Sequence, residues 1–432
     1  MSTLEIIARA GHPDFLDLDW DSPLRSWTGR RLVDVARGVS RHVVRFVDYD
    51  GVVYAVKETT PEMASGEYAL LRGLADRGLP VVEAVGVVLS RGLRLTVADD
   101  DGQADAPPAA ALITKHLSFS MPYRYLFQGR GAPNLRNQLL DALSVLLVRL
   151  HLEGFFWGDC SLSNALFRRD AGALTAYLVD AETGVLNDHR LSAGQRSHDL
   201  TIAMENVGGE LLDLAAGGRL PDDVDPEAIS EELLFRYERL WAELNQEEVI
   251  VSGDRHGLDA RTRRLNALGF DIGEYRMRTS PDGRQVTVVP RVVEVGHHRR
   301  RLAQLAGIEA DENQARRLLN SIEGHRSDLE SGTGSAVPDA LLAYDWLINI
   351  YNPTIAAIPT DLQTRLPDAE AFHQILEHRW YLSEQAGADV GLEAAVQAYL
   401  ADILPFAPVE ESILPDPQDA SSDLDELMPE NH

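Results

Sequence analysis

Three oxygen-bearing side chains stand at short offsets in the stretch HLEGFFWGDCSLSNALFRRDAGALTAYLVDAETG: Asp159, Asn164 and Asp180. Two strands joined by a turn would set Asn164 and Asp180 side by side. An amide and a carboxylate placed so suit Mg²⁺, a hard cation that takes few protein oxygens and completes its shell with phosphate and water. Asp159, on the preceding loop, can face an incoming hydroxyl and accept its proton. Each residue alone is an ordinary turn former; the signal is all three in this order. Upstream, alternation along VVYAVKE puts Val53, Ala55 and Lys57 on one face of a strand. A small residue two positions before a lysine suits an adenine ring beside a phosphate chain. Alone, Lys57 would read as a surface lysine at a strand end. Yet of 40 basic residues only Lys57 and Lys115 are lysines, and a retained lysine marks a place for a slim point charge rather than the planar fork of arginine. Glu67, in GEYALLRGL on the helix that follows, could hold that ammonium. Glu58 and Glu62 are alternatives, and a glutamate in a first helical turn also answers the helix dipole.

These residues need elements to position them. RLVDVARGVSRHVVRFVDYDGVVYAVK, residues 31–57, alternates apolar and polar and breaks at DYDG, which predicts a β-hairpin. PEMASGEYALLRGLADRGLP predicts a helix closing at Gly78-Leu79-Pro80. VVEAVGVVL, GLRLTVA and AALITKHL predict three more strands, the last two separated by the loop DDDGQADAPPA. Leu139, Leu143, Leu146 and Leu150 stripe one face of a helix that runs to His151. ALFRR and AYLVDAE predict two strands around the turn DAGA, and helical patterns dominate from about Ser197 to Asn245. EYRMRTSPDGRQVTVVPRVVE predicts a second hairpin. AGIEADENQARRLLNSIEGH predicts two short helices, followed by ALLAYDWLINIYN and two more helices to about Leu404. The acidic, proline-containing end from Pro408 reads as disordered.

The bulk numbers exclude several classes. A chain of 432 residues exceeds one ordinary core. Its single cysteine excludes a disulfide framework and a cysteine-rich zinc site and fits a reducing cytosol. Cys160 has no histidine at a nucleophile–base spacing, so it reads as a small packing residue beneath the loop. MSTLEIIARAGHPDF lacks the basic start and apolar run of a signal peptide, and no stretch reaches the length of a membrane span, so the expected location is the cytoplasm. A formal charge of −28 opposes general nucleic-acid binding. The region from Arg255 to Arg301 runs against that trend, with 11 arginines to 5 acids. His297-His298 and His151 have no spacing that builds a zinc site, and GHPDFLDLDWD reads as acidic turns between apolar anchors.

The order Lys57, Glu67, His151-x-x-Gly154, Gly158-Asp159-x-x-x-x-Asn164 and Asp180 resembles the protein-kinase-like superfamily. In style it is most similar to the lipopolysaccharide (Kdo and heptose) kinases and the aminoglycoside phosphotransferases. The wording EYALLRGL, GDCSLSNALF and LVDAETG also resembles the bacterial domain of unknown function 4032 family, described as lipopolysaccharide-kinase-like. The kinase resemblance covers roughly residues 31–215, and that of the unnamed family extends to about residue 405.

The resemblance implies roles. Lys57 would contact the nucleotide phosphates and pair with Glu67; Asp159 would be the catalytic base; Asn164 and Asp180 would hold Mg²⁺. Lys115, His116 and Leu117 would belong to the hinge that binds adenine, near Ala55. Gly38 and Ser40 in ARGVSRH would cover the phosphates, and Asp199 would be a scaffold aspartate. His151 and Gly154 would be structural. The departures are one glycine in the covering loop, Trp157 where relatives often carry histidine, and Asp-Ala-Glu at the metal, which adds Glu182 as a further ligand. No Ala-Pro-Glu segment follows.

The expected fold is therefore α+β, a two-lobed protein-kinase-like fold with an antiparallel β N-lobe, a helical C-lobe and a mostly helical C-terminal extension. The expected divisions are 1–30 as an N-terminal segment, 31–117 and 118–245 as the lobes, 246–405 as an α-rich domain with a β-hairpin, and 406–432 as an acidic tail. The expected activity is ATP- and Mg²⁺-dependent transfer of the γ-phosphate to a hydroxyl of a sugar, a small molecule or a protein. The alternative is a weak or inactive nucleotide-binding module, with an arginine-rich nucleic-acid-binding region.

Overall fold

The computed structural model describes residues 4–35, 42–91, 110–128, 133–245, 247–251, 255–268, 270–280, 285–333 and 336–407. Its N-terminal part is an antiparallel sheet of β1 (Glu5–Ala8), β2 (Leu32–Val33), β3 (Val44–Tyr49), β4 (Val52–Thr59), β5 (Glu83–Ser90) and β6 (Ala110–Lys115), ordered β1-β5-β6-β4-β3-β2. Asp50 and Gly51 both take positive φ, 56° and 85°, which gives the tight reversal that the twist of β3 and β4 requires. Helix α1 (Pro61–Asp76) follows β4. Thr60 caps it by accepting from the Met63 N–H, and Pro61 starts it where no amide donor is needed. Leu71 and Leu74 of α1 pack with Ala84 and Leu112 on one face of the sheet. Phe15, Trp20, Leu24 and Trp27 cover the other face, against Tyr54, Val56 and Val85. Tyr54 and Val56 thus face that core, and alternation leaves Ala55 and Lys57 on the opposite side. The expected strand GLRLTVA and the loop after it lie outside the described residues.

The middle of the chain is helical. It runs through β7 (Ser120–Met121), α2 (Tyr123–Gln128), α3 (Pro133–Leu152), β8 (Phe155–Phe156), β9 (Ala165–Asp170), β10 (Ala173–Leu178), β11 (Val185–Leu186), α4 (Ala193–Ala216) and α5 (Pro226–Asn245). All four leucines of the α3 stripe are buried. A capping box between Ser192 and Gln195 starts α4, four residues before the expected onset. Ala171 and Gly172, at φ 52° and 84°, turn β9 into β10. The chain is thus α+β, with an antiparallel N-terminal sheet and a helical C-terminal part, as expected.

Beyond α5 lie β12 (Glu248–Val251), α6 (Arg255–Ala267), β13 (Phe270–Thr279) and β14 (Gln285–Val295), whose strands form one sheet ordered β12-β14-β13. Then come α7 (His297–Ala306), α8 (Glu312–Thr333), α9 (Asp339–Trp346), a π-helical segment Leu347–Tyr351, α10 (Asn352–Ala356), α11 (Asp368–Ala386) and α12 (Leu392–Asp402). The two short helices expected across 306–325 are instead one long helix, α8. The break falls earlier, at Gly307 with φ 68°, and the buried series Ala315, Leu318 and Ile322 carries the helical face through Gly324. No helix of the described residues is long and apolar enough to cross a membrane.

The start of α8 grips the tip of the β9–β10 hairpin. Asp170 accepts from the Gln314 N–H at 2.7 Å, from both the backbone and side-chain N–H of Asn313 at 3.1 Å, and from Thr175 Oγ1 at 2.9 Å. The orphan amides of a helix N-terminus are thereby satisfied from another element. Asp311, fully buried, takes Arg168 Nε at 2.6 Å and Nη2 at 2.9 Å, and the Tyr177 hydroxyl. Glu370 of α11 accepts from the Ala171 N–H at 2.9 Å and from Gln314 Nε2 at 2.8 Å. Removing one partner of a buried bidentate pair strands the other, so Asp311→Ala is expected to destabilise the protein by about 3–5 kcal/mol. Urea denaturation checks this; a loss below about 1 kcal/mol would show the clamp to be a surface-grade contact.

Candidate nucleotide and phosphoryl-transfer site

Lys57 stands at the centre of a carboxylate cluster. Its Nζ lies 2.5 Å from Glu67 Oε2, 3.1 Å from Asp180 Oδ2 and 3.4 Å from Glu182 Oε2. Of the three glutamates the sequence leaves open, packing of α1 across the sheet selects Glu67. Glu58 faces the other side, where it takes Arg91 Nη2 at 2.6 Å and the Leu24 N–H at 3.2 Å, and Glu62 is exposed. Burial opposes the charge on Lys57, but Glu67 and Asp180 outweigh it and hold the ammonium above its ordinary pKa. Burial likewise opposes the charge on Asp180, and there Lys57 and the Glu182 N–H win and hold the carboxyl below its ordinary range. Glu67 goes the other way: burial, then the Asp180 charge, push it up to about 8 despite the ammonium beside it. One lysine faces three carboxylates, and burial weighs most on Glu67, the most buried of them.

The loop that carries Asp159 hangs from α4. Asp199, fully buried, accepts from the Trp157 N–H at 2.9 Å and the Gly158 N–H at 2.7 Å, and pairs with His151 Nε2 at 3.0 Å. His151 Nδ1 meets the Tyr237 hydroxyl at 2.7 Å. Two turns along the same helical face, Asn206 Nδ2 donates to Asp159 Oδ1 at 3.0 Å and to the Cys160 carbonyl at 3.2 Å. One turn farther, Glu210 accepts from the Leu162 N–H at 2.7 Å and the Ser163 N–H at 3.0 Å. Asn164 Nδ2 bonds the Asp159 carbonyl at 2.9 Å and its Oδ2 at 3.2 Å, so both carboxylate oxygens of Asp159 are held by amides. Gly154 supplies the turn before this loop. It sits at φ 82°, and a Cβ there would come within 2.3 Å of the His189 carbonyl oxygen. Cys160 is buried in the core, and burial pushes its thiol well above the ordinary value, which suits packing rather than nucleophilic chemistry.

Asp159, Asn164, Asp180 and Glu182 line one cleft of about 400 Å³, together with His42 and Arg124. Carboxylate oxygens of Glu67, Asp180 and Glu182 all lie within 4.8 Å of one another. With its Nδ2 committed to Asp159, Asn164 keeps an Oδ1 that accepts no hydrogen bond among the described residues. A set of hard oxygen donors fits Mg²⁺. The Trp157 indole ties this set to the loop by donating to the Asp180 carbonyl at 2.9 Å. The His116 N–H donates to the Val53 carbonyl at 2.9 Å, whereas the Leu117 N–H makes no hydrogen bond among the described residues. The His116 ring meets Phe46 edge-on at 5.5 Å, and burial pushes its imidazole down to about 4, so it stays neutral. Lys115 lies on β6 opposite Tyr54, beside Ala55 and Thr114. Gly38 and Ser40 lie outside the described residues.

Residues 239–404 match the family described as Domain of unknown function (DUF4032). That stretch runs from the end of α5 to the end of α12, whereas the motifs whose wording resembles the family lie before it. No curated protein matches the chain. Among solved structures, one of WaaP in complex with acyl carrier protein is 17% identical, with a TM-score of 0.35, over 61% of this chain and 99% of that one. An aminoglycoside-3'-phosphotransferase of type VIII is also 17% identical, with a TM-score of 0.33, over 50% of this chain and 88% of the other.

Three site residues escape a reading of the sequence alone. Asn206 and Glu210 follow Asp199 at offsets of seven and eleven, so the face of α4 that carries Asp199 is their one signal. His42, whose Nε2 lies 2.7 Å from Glu182 Oε2, has none. In the arginine-rich region, Arg261 is buried and donates to the Glu243 carbonyl at 3.2 Å, and Arg264 pairs with the Glu243 side chain at 2.6 Å. Arg261 thus serves the fold, whereas Arg264 is exposed.

The raised pKa of Glu67 has a consequence for stability. A carboxyl whose folded pKa of about 8 exceeds its ordinary 4.5 contributes stability that is complete below 4.5 and is lost as pH rises through about 8. Glu67→Gln removes that titration. In metal-free buffer the melting temperature of the variant, relative to wild type, is expected to climb between about pH 5 and about pH 9. A constant difference across that range contradicts the assignment.

Proposed function

We propose that this chain is an ATP- and Mg²⁺-dependent phosphotransferase that moves the γ-phosphate to a hydroxyl of an acceptor. The observation that supports this most is Lys57, held between Glu67 and Asp180, the second of which lines one cleft with Asp159 and Asn164. In the reaction, an acceptor oxygen bonds to the γ-phosphorus, the bond from that phosphorus to the bridging oxygen breaks, and ADP leaves with the electron pair. Asp159 takes the hydroxyl proton, with Asn164 and Asn206 fixing its carboxylate plane. Lys57 holds phosphate oxygens, and Glu67 keeps the ammonium in place. Asn164, Asp180 and Glu182 would hold Mg²⁺, which supplies charge neutralisation at the phosphates when bound. Catalysis in such a site is positioning plus electrostatics, since the protein forms no covalent bond. The acceptor class stays as broad as the sequence leaves it, a sugar, another small molecule or a protein. The His42–Glu182 contact crosses this cleft and would open as phosphates enter.

Two substitutions test the assignment. Asp159→Asn is expected to lower ADP formation with hydroxyl-bearing acceptors by about 10²–10⁴-fold while ATP still binds. Asn206→Ala, which frees one oxygen of the base, is expected to lower kcat about tenfold or more with KM for ATP unchanged. Full turnover in Asp159→Asn would remove Asp159 from the chemistry.

A further inference from the structure

Helices α8 and α11 grip the β9–β10 hairpin through Asp311–Gln314 and Glu370. One turn farther along, the same two helices line a second cleft of about 1010 Å³, which shares no residue with the nucleotide cleft. Its third wall is the π-helical segment, through Asn349 and Ile350. Single π turns inside helical runs occur often at functional sites.

The lining chemistry is specific. His373 is only 5% exposed, lines the cleft, and its ring makes no hydrogen bond among the described residues. Its ring nitrogens open on the cleft, where an occupant can meet them. Arg317 and Glu377 also line the cleft, and their charges, with that of Glu370, act on the His373 ring. Both are exposed, and neither forms an ion pair or hydrogen bond among the described residues, with the other or with anything else. The remaining charges there are matched: His325 with Asp345 at 2.7 Å and Arg379 with Asp389 at 2.5 Å. Trp380, one turn beyond Glu377, is 64% exposed, a large ring left open at the mouth of a cleft floored by Ile350 and Leu376. Opposite charges that share a cleft without pairing call for a ligand that carries both signs.

We propose that this cleft binds a small zwitterion with a planar apolar body, its anionic group on Arg317, its ammonium on Glu377 and its ring against Trp380, with His373 hydrogen-bonded to one polar end. Arg317 supplies a planar fork for a carboxylate, and Trp380 a face for the ring. The volume is that of a small-molecule site.

Calorimetric titration of the full chain with L-tryptophan tests this, beside indole-3-propionate, which lacks the ammonium, and tryptamine, which lacks the carboxylate. L-tryptophan is expected to bind, and each truncated analogue to bind about tenfold or more weakly. Arg317→Ala should weaken L-tryptophan and indole-3-propionate but spare tryptamine. Glu377→Ala should weaken L-tryptophan and tryptamine but spare indole-3-propionate. Trp380→Ala should weaken all three. The three side chains are exposed, so these variants are expected to fold. No binding of L-tryptophan at millimolar concentration overturns the proposal. So does equal affinity for the three probes, or binding that survives Trp380→Ala.

Discussion

Asp199 is a carboxylate with no exposure to water, and the loop that carries Asp159 is built outward from it. A buried charge persists only when donors surround it. Here the Trp157 and Gly158 amides and the His151 ring do so, and Tyr237 fixes the far side of that ring. The two amides belong to the residues just before Asp159, so the charge that must be satisfied also fixes where the Asp159 carboxylate emerges. Asn206 and Glu210 extend the same constraint along the loop, since they stand on the same rigid helix. A loop held at three heights by one helix face has little freedom to misplace Asp159.

The β9–β10 hairpin meets a second constraint from the opposite direction. Asn164 precedes β9 and Asp180 follows β10; the Val179 N–H donates to the Asn164 carbonyl at 3.0 Å, which closes the open end of the hairpin. Its tip is held by Asp311, Asn313, Gln314 and Glu370, all within the stretch that matches the DUF4032 family. The candidate metal-binding residues therefore sit on a hairpin tied at one end to Lys57 through Asp180 and at the other to α8 and α11. This gives the C-terminal region a physical reason to be present beside such a site: it stiffens the element that carries the site's oxygens.

Much of this was legible because it is periodic or local. Alternation along β4 places Ala55 and Lys57 together, spacing of three and four buries the α3 leucines, and the short turn after Asp170 brings Asn164 and Asp180 to one end of a hairpin. What was not legible is decided by packing between distant elements. Glu58, Glu62 and Glu67 are chemically equivalent in the sequence, and only the seat of α1 on the sheet separates them. Asn206 has an ordinary helical setting until α4 lies under the loop. The length of α8 is likewise set by packing: Gly324 weakens a helix locally, whereas the buried face of Leu318 and Ile322 sustains it. The second cleft draws Arg317, Ile350 and Trp380 from three separate segments, so no motif announces it.

We propose that Lys57 and Asp180 form one nucleotide and metal site. Calorimetric titration of ATP into the protein, with and without Mg²⁺, in wild type and Asp180→Ala, tests it most directly. The expected result is one ATP per chain, bound more tightly with Mg²⁺ in the wild type, and loss of that Mg²⁺-dependent gain in Asp180→Ala. ATP binding that ignores both Mg²⁺ and Asp180, or no ATP binding at all, would contradict it.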